Sequence, residues 1–321
     1  MDEFSLINTW FKPLGDVADS ASPNVVLGVG DDCALLASRP GYELAVTADT
    51  LVAGVHFLED VDAVDLGVKA LAVNLSDLAA MGAEPAWFTL CLTLPEQDPA
   101  WLEGFSEGLG RMAREYRVPL VGGDTTSGPL TVTVQVAGWV PQGRALRRDA
   151  ARTDDLIYVS GELGWPGLGL AHLQQQQTLS EPHRTVALER LLRPRPQIKL
   201  AMAIREHVHA CIDISDGLTA DLTHILKASG KGAELDIPAL PVAEPLRKLQ
   251  STDRDALLEA LNFGDEYQLL FTAPASAGAA LKQAAATAGA QVHSIGRITD
   301  TGQLADTGGA IITAKGYRHF S

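Results

Sequence analysis

The chain has 321 residues, a length that suits two domains of ordinary size better than one small core. Lysine plus arginine number 25 and aspartate plus glutamate 40, giving a formal charge of −15 that disfavours nucleic acid and anionic membranes as partners. The chain shows no signal peptide, no apolar run of membrane-spanning length and no C-x-x-C pair among its 3 cysteines, so we expect a cytoplasmic protein without disulfides.

The first half of the chain predicts strands mixed with two helices. We expect strands over 24–30, 43–50, 85–94, 119–123 and 130–140, and helices over 65–81 and 99–116. In the first helix Asp77 falls on the same 3.6-residue stripe as Leu66 and Val73. An aspartate on that stripe is costly unless a ligand or partner holds it. Gly82 is predicted to end the helix as its C-cap.

The second half begins after a change of composition. Residues 141–155 are charged and nearly free of large apolar side chains, so we place the domain boundary there, between 143 and 144. Strands are predicted over 156–160, 211–214, 267–271 and 292–298, with a helix over 218–229. Because strands and helices do not alternate strictly, we expect two α+β domains.

Short acidic runs, several of them beside glycine, follow the predicted strands and helices. They are Gly30–Asp32, Thr47–Thr50, Asn74–Asp77, Gly122–Thr126, Asp213–Gly217 and Gly264–Tyr267. Carboxylates that converge without basic partners repel one another, so such a site is stable only when hard cations fill it. The runs therefore predict bound Mg²⁺, and Mg²⁺ in turn would hold phosphates.

Two of these runs have simpler alternatives. At the strand-to-helix corner Asp213–Gly217, Ser215 or Asp216 could serve only as a helix N-cap. We favour a functional role, because free amides at a helix start attract phosphate oxygens and the flanking carboxylates could hold the accompanying metal. Gly122–Thr126 could be a tight turn in which Asp124 only makes a local hydrogen bond.

Other candidates are weaker when taken from the residues alone. Four arginines lie within nine residues (Arg144, Arg147, Arg148 and Arg152) and indicate either an anion site or a solvated linker. A lone histidine, His56, is by default structural, and the aromatic tail around Tyr317 suggests docking onto the body of the protein. Neither the lysine-bearing phosphate loop nor G-x-G-x-x-G after a strand occurs, so the common nucleotide loops are excluded.

Taken together, the motifs resemble the thiamine-monophosphate kinases, of the superfamily that includes aminoimidazole ribonucleotide synthetase and selenophosphate synthetase. The resemblance covers nearly the whole chain. The motifs that carry it are GVGDDCAL (28–35), TADTLVAGVHF (47–57), KALAVNLSDLAAMGAEP (69–85), VGGDTTSGPLTVTV (121–134), DISDGL (213–218), FGDEYQLLF (263–271) and GYRHF (316–320).

The resemblance implies a two-domain aminoimidazole ribonucleotide synthetase-like fold of the α+β and α/β classes. Residues 1–143 would form an N-terminal ATP/Mg-binding and dimerisation domain, whose sheet pairs with that of a second subunit in a homodimer. Residues 144–321 would form a C-terminal α+β domain. The implied activity is ATP-dependent phosphorylation of thiamine monophosphate to thiamine diphosphate by direct in-line transfer, assisted by several Mg²⁺ ions and without a protein general base.

Matching positions imply the roles of individual residues. Mg²⁺ would be held by Asp31, Thr47, Ala48, Asp49, Asp77, Asp124, Asp213 and Asp216. ATP would meet Gly123, Asp124, Arg148 and Ser215, and the thiamine substrate would meet His56, Asp265, Glu266 and Tyr317. The resemblance thus gives His56 and Tyr317 functions that their sequence context alone does not.

The chain also departs from the family pattern. The usual Gly-Glu-Asp-Tyr-Glu-Leu reads GDEYQL over 264–269, so the two acids are exchanged and either Asp265 or Glu266 could face the substrate. The usual Gly-Asp after the arginine run is Asp154-Asp155. Alternatives to the kinase are another ATP-dependent enzyme of the superfamily, similar to aminoimidazole ribonucleotide synthetase, and a non-catalytic sensor of Mg-nucleotide.

Overall fold

The computed structural model describes residues 3–16 and 24–317, so Arg318, His319 and Phe320 of the C-terminal motif lie outside the described residues. The chain divides into two compact units. One comprises Met1–Leu78 with Ala83–Gly143, and the other Ala79–Gly82 with Arg144–Ser321.

The first unit is built on a four-stranded sheet and two long helices. Its strands are β1 (Val25–Leu27), β2 (Leu35–Leu36), β3 (Tyr42–Val52), β4 (Glu84–Leu94), β5 (Leu120–Ser127) and β6 (Thr131–Pro141), and its helices are α1 (Glu3–Leu6), α2 (Ala63–Ala80) and α3 (Pro99–Tyr116). The sheet has the order β3-β6-β4-β5, with β4 and β5 parallel and the other pairs antiparallel. Strands β1 and β2 form a separate hairpin.

Alternation along β6 decides which face of this sheet is buried. Val132, Val134 and Val136 are fully buried, whereas Thr133 is half-buried and Gln135 exposed. The core of the unit includes Leu71 and Leu75 of α2 and Phe105 and Leu109 of α3, all with exposed fractions of 0%. The period-2 pattern predicted for this strand is therefore confirmed.

The edge strand β3 remains open within the described residues, whereas Trp139 on the opposite face of the sheet is buried in a cluster against which Val25 packs. In the sheet order β3 pairs with β6 alone, which leaves its other edge without a neighbouring strand in this part of the chain. Leu44 and Val46 on β3 keep 44% and 49% of their surface exposed. An exposed apolar edge strand is a surface onto which another strand can pair.

The second unit has a six-stranded sheet covered by helices. Its strands are β7 (Leu156–Ser160), β8 (Ala210–Asp213), β9 (Gly232–Leu235), β10 (Leu269–Ala273), β11 (Val292–Thr299) and β12 (Leu304–Asp306). Its helices are α4 (Trp165–Leu173), α5 (His183–Leu192), α6 (Ile198–Ile204), α7 (Leu218–Ser229), α8 (Arg247–Thr252), α9 (Arg254–Leu261) and α10 (Gly278–Thr287). The order is β12-β9-β11-β7-β10-β8, and only the β12–β9 pair is parallel among these strands.

The core of the second unit joins this sheet to α7. Leu218, Leu222 and Ile225 on one face of α7 are fully buried against strand residues such as Ile212 and Leu270. In the described residues no helix is both long and apolar enough to cross a membrane. Cys33 and Cys91 are exposed, Cys211 is buried, and all three are free thiols.

Candidate active site

In the first unit β3 and α2 bring together three of the predicted metal ligands. The Thr47 hydroxyl donates a hydrogen bond to Oδ2 of Asp77. The backbone N–H of Asp49 donates to Oδ1 of Asn74 at 3.0 Å, and Asn74 Nδ2 donates to the Ala70 carbonyl at 3.1 Å. The buried Asn74 therefore fixes β3 against α2 at the point where Asp49 and Asp77 approach each other.

The electrostatics of this group suit a hard cation. Burial, and then repulsion from Asp77, raise the pKa of Asp49 to about 6. The side-chain donors are two carboxylates and a hydroxyl, all oxygen ligands of the kind that Mg²⁺ prefers. A divalent cation would lower the pKa of Asp49 again and remove the repulsion, so the residues present fit the implied metal.

Two further predicted metal ligands of this unit lie on other segments: Asp31 between β1 and β2, and Asp124 on β5. Asp31 is exposed, and its Oδ1 accepts the N–H of Asp32 at 2.8 Å. Asp124 is exposed on β5, the edge strand opposite β3, so three strand spacings or roughly 14 Å separate the two edges. One cation at ~2.1 Å from each ligand does not bridge that span.

Gly123, next to Asp124, lies where β4 and β5 come close together. Its φ is +155°, and a Cβ there would stand 1.8 Å from the carbonyl oxygen of Leu90. Only glycine fits at this point. The alternative that Gly122–Thr126 forms a tight turn is wrong, because these residues continue β5 as far as Ser127.

His56 follows β3 and is held in one tautomer. Its Nδ1 accepts the backbone N–H of Val52 at 3.1 Å, so in the neutral ring the proton is on Nε2. The half-buried ring is thus oriented by its own turn, as the structural interpretation of this histidine predicts.

In the second unit the corner Asp213–Gly217 is organised by a residue that we did not predict. Asp213 ends β8 with an exposed fraction of only 3%. One oxygen, Oδ2 of Asp221, accepts the N–H groups of Ser215, Asp216 and Gly217, each at 3.1 Å. A carboxylate oxygen of Asp221 also lies within 4.8 Å of a carboxylate oxygen of Asp216 and a ring nitrogen of His224.

This arrangement overturns the interpretation of the corner as a set of free amides for phosphate. The three N–H groups are already satisfied inside the protein, so a phosphate does not meet them there. The N-cap alternative is also wrong, because Gly217 is the N-cap of α7 and no side chain caps the helix at that position. The exposed Ser215 hydroxyl and the half-buried Asp216 carboxylate are what the corner presents outward.

Two further segments are hydrogen-bonded to this corner. The N–H of Asp265 donates to the Ser215 carbonyl at 2.9 Å, and the N–H of Tyr317 donates to the Asp216 carbonyl at 3.1 Å. Gly264 has φ +94°, and a Cβ on it would lie 2.3 Å from the Ser215 carbonyl oxygen. The predicted docking of the tail is confirmed at Tyr317, and predicted ATP and substrate ligands thereby become neighbours in this unit.

The exchanged acids, Asp265 and Glu266, have different surroundings. Glu266 is buried and accepts the N–H of Gly164, which precedes α4. Burial raises the pKa of Glu266 to about 8. Asp265 is half-buried at φ +58° and accepts the hydroxyl of Tyr267 at 2.9 Å. Glu266 thus supports α4, whereas Asp265 remains near the surface.

The arginine run is largely engaged with its own unit. Arg147 pairs with Asp149 at 2.6 Å and Arg144 with Glu206 at 2.9 Å, all with exposed side chains. Arg148 is exposed, and its carbonyl accepts the Ser229 hydroxyl at 3.0 Å. In place of the family's glycine, Asp154 adopts φ +67°, a conformation that aspartate tolerates better than most residues.

Two residues that position the others, Asn74 and Asp221, are not among the predicted site residues. Both are buried polar side chains beside apolar helix positions. The signal was present, since an aspartate one turn into an apolar helix is costly unless it accepts hydrogen bonds. Asp77 was detected by this same criterion.

Comparison with known proteins places the whole chain. The family described as AIR synthase related protein, N-terminal domain, matches residues 30–140, and the corresponding C-terminal domain matches 152–308. Thiamine-monophosphate kinase of Salmonella typhimurium is 46% identical over 324 residues, covering 99% of this chain and 98% of that protein.

Solved structures agree with this placement. The crystal structure of thiamine-monophosphate kinase from Stenotrophomonas maltophilia K279a superposes with a TM-score of 0.86 at 42% identity, covering 97% of this chain and 98% of that one. The structure of AaThiL complexed with AMPPCP and TMP superposes with a TM-score of 0.78 at 31% identity, covering 99% of this chain and 97% of that one. The chain therefore belongs to the thiamine-monophosphate kinase family and is a kinase with the two-domain AIR synthase-related fold.

Proposed function

We propose that this kinase transfers the γ-phosphoryl group of ATP to the phosphate of thiamine monophosphate, giving thiamine diphosphate and ADP. The observation that carries the proposal is the 31% identity over 99% of the chain to AaThiL, which was solved complexed with AMPPCP and TMP. The names of the relatives at 45–46% identity support the same reaction.

The acceptor makes a protein base unnecessary. A phosphate monoester has a second pKa near ~6, so the attacking oxygen is already ionised at neutral pH. What the site must supply is the alignment of two polyanions. Two like unit charges 4 Å apart repel by roughly 4 kcal/mol at an effective dielectric constant near 20.

The protein's acidic residues offset that repulsion indirectly. When bound, Mg²⁺ ions neutralise phosphate charge and orient the attacking and leaving oxygens. We assign Thr47, Asp49 and Asp77 to one part of the metal set on the strength of their mutual contacts. The other proposed metal ligands are Asp31, Ala48, Asp124, Asp213 and Asp216.

Nucleotide contacts are proposed for Ser215, Arg148 and the Gly123–Asp124 pair. Ser215 is exposed at the corner, and its direction is set by the hydrogen bonds around it. Arg148 is exposed, whereas the neighbouring Arg147 pairs with Asp149 and Arg144 pairs with Glu206. Gly123 lets the backbone of β5 lie close to β4, and the exposed Asp124 follows it.

Substrate contacts are proposed for Tyr317, Asp265 and His56. Thiamine carries a fixed positive charge on its thiazolium ring, so stacking on the exposed Tyr317 would contribute about 0.5–2 kcal/mol. Of the two exchanged acids we assign Asp265 to the substrate, because Glu266 is buried and accepts the Gly164 N–H.

We further propose that the protein acts as a homodimer through the sheet of its first unit. The open edge of β3 and the exposed side chains of Leu44 and Val46 support this assignment. A second copy of the same edge or face would remove this apolar surface from water.

One incubation tests the reaction. The protein is mixed with ATP, Mg²⁺ and thiamine monophosphate, and the products are separated by chromatography. We expect thiamine diphosphate and ADP in equal amounts. ADP with inorganic phosphate would instead indicate an enzyme similar to aminoimidazole ribonucleotide synthetase, and no ADP with any acceptor would indicate a nucleotide sensor.

A single substitution tests the metal set. Asp213→Asn keeps the shape of the side chain at the end of β8 and removes its charge. We expect turnover to fall by at least about a hundredfold while the melting temperature stays unchanged. An active but unstable variant would contradict the assignment of Asp213 as a metal ligand.

A further inference from the structure

The corner Ser215–Gly217 owes its shape to one buried side chain, Asp221. Its exposed fraction is 2%, and its Oδ2 accepts three consecutive backbone N–H groups at 3.1 Å each. Successive N–H groups that converge in this way form a concave anion-binding site. Here the group that accepts them is a carboxyl oxygen of the chain itself, four to six residues further along.

The hydrogen bonds around Asp221 leave the corner little conformational freedom. The Asp221 N–H also donates to the Gly217 carbonyl at 3.0 Å, so side chain and backbone enclose the same turn. The carbonyls of Ser215 and Asp216 accept from the N–H groups of Asp265 and Tyr317, at 2.9 and 3.1 Å. The amides of the corner thus donate to Asp221, and its carbonyls accept from two other segments of the chain. These hydrogen bonds fix the backbone and so the directions in which the Ser215 and Asp216 side chains point.

We propose that Asp221 is a positioning residue for the kinase reaction: it holds the corner so that the Ser215 hydroxyl and the Asp216 carboxylate are aimed at Mg-nucleotide. This inference rests on the proposed function, in which these two side chains meet ATP and Mg²⁺. In this assignment Asp221 acts through the corner, because its Oδ2 is engaged with three backbone N–H groups.

Three substitutions separate the hydrogen bonds of Asp221 from its charge. Asp221→Asn can place its Oδ1 where Oδ2 now lies and accept the same three N–H groups, without the negative charge. Asp221→Ala removes the acceptor. Asp221→Glu keeps the charge but moves the acceptor by one methylene group.

A matched control comes from another buried carboxylate of the same unit, Asp155. Its Oδ2 accepts the N–H of Arg152 at 2.9 Å, and its other partners are His209 and Thr272. Thr272 pairs with Ala210, three residues before Asp213 on β8, which places this network about 10 Å from the corner. Asp155→Ala should therefore lower the melting temperature without disturbing the corner.

The first readout is hydrogen–deuterium exchange of peptides that contain residues 215–217, measured on the full chain without ligand. We expect these amides to exchange slowly in the wild type and in Asp221→Asn, and at least about tenfold faster in Asp221→Ala. The Asp155→Ala control should leave this exchange unchanged. This measurement does not depend on the identity of the substrate.

The second readout is the dissociation constant of AMPPCP with Mg²⁺, measured by calorimetry, together with the KM for ATP. We expect both to rise about tenfold or more in Asp221→Ala and Asp221→Glu, and to stay within about threefold of wild type in Asp221→Asn and Asp155→Ala. Equal losses in Asp221→Asn and Asp221→Ala would overturn the proposal, and so would wild-type affinity in Asp221→Ala.

Two complications are covered by this set. If Asp221→Ala does not fold, the comparison of Asp221→Asn with Asp221→Glu decides in its place, and loss of affinity in both overturns the proposal. If the wild type forms no thiamine diphosphate, the proposed function fails, whereas the exchange measurement still shows whether Asp221 holds the corner.

Discussion

The hydroxyl of Thr47 donates a hydrogen bond to the carboxylate of Asp77, joining the edge strand β3 to helix α2. Asp49, two residues along the same strand, has a pKa raised to about 6 by burial and by the Asp77 charge. The carboxylates of Asp49 and Asp77 thus lie close together, and the Thr47 hydroxyl orients that of Asp77. Such an arrangement stores repulsion that a divalent cation would relieve.

The role of Thr47 can be tested by two substitutions of similar size. Thr47→Val removes the hydroxyl and keeps the branched shape, whereas Thr47→Ser keeps the hydroxyl. We expect Thr47→Val to raise the Mg²⁺ concentration for half-maximal activity about fivefold or more, because the lost hydrogen bond to a charged group is worth about 1.5–3 kcal/mol. In Thr47→Ser the Mg²⁺ concentration for half-maximal activity should stay within about twofold of the wild-type value. Titration of activity with Mg²⁺ checks both, and equal values for the two variants would contradict the assignment.

Local sequence signals predicted the long elements well. Helix α3 begins and ends where its apolar period does, with Asp98 as an N-cap that accepts the N–H of Ala100 and Pro99 in the first turn. Helix α7 and strand β7 also have the predicted bounds. Gly82 closes α2 at φ +66°, as expected for a C-cap. In these cases the apolar period of the element ends at the same residues as its capping signals, and tertiary contacts do not shift the boundaries.

Local sequence signals gave the wrong structure where a residue or strand elsewhere in the chain provides the hydrogen-bond partner. Strand β5 was expected to end at Gly123, yet it continues to Ser127 because β4 provides a parallel partner. The order of strands in the sheet differs from their order in the chain, so Asp124 lies on the edge opposite Asp49. At the corner, the amides meet Asp221 and not a ligand, since a carboxylate on the next turn has a very high effective concentration.

The proposed dimer predicts a change of mass on a single surface substitution. Val46→Lys places a charge on the exposed apolar face of β3, where burial in an interface would cost several kcal/mol. We expect light scattering coupled to size-exclusion chromatography to show the mass of two chains for the wild type and about half that mass for Val46→Lys.

The control for that experiment is Leu173→Lys. Leu173 is also an exposed apolar residue, with 37% of its surface accessible, but it ends α4 in the second unit. Its substitution should leave the mass unchanged. A wild-type protein that elutes as a single chain, or a dimeric Val46→Lys, would contradict the proposed interface.

The substrate assignment of the exchanged acids predicts different kinetic effects for the two positions. Asp265→Asn should raise the KM for thiamine monophosphate about fivefold or more, since a charge that faces the cationic substrate is lost. Glu266→Gln should leave that KM within about twofold, because Gln can still accept the Gly164 N–H. Steady-state kinetics at saturating ATP distinguishes the two. A larger effect of Glu266→Gln would reverse our assignment.

Tyr317 provides a related prediction about the thiazolium ring. Tyr317→Phe keeps an aromatic face, whereas Tyr317→Ala removes it, and neither change removes the backbone N–H that donates to Asp216. We expect the KM for thiamine monophosphate to rise between about twofold and thirtyfold in the alanine variant, corresponding to 0.5–2 kcal/mol, and to change little in the phenylalanine variant. An unchanged KM in Tyr317→Ala would exclude stacking.

Burial of Glu266 predicts how stability depends on pH. Its pKa is raised from an ordinary 4.5 to about 8, mainly by burial, so the folded state binds a proton that the unfolded state has released between these values. The free energy of unfolding should therefore be highest below pH 4.5 for this group and fall as pH rises towards 8, with a slope of up to about 1.4 kcal/mol per pH unit. Glu266→Gln has no such proton to lose, so its advantage over wild type should grow from pH 5 to pH 8. Urea unfolding of both proteins at pH 5, 6.5 and 8 measures that difference, and parallel curves would show that Glu266 is ionised in the folded protein throughout.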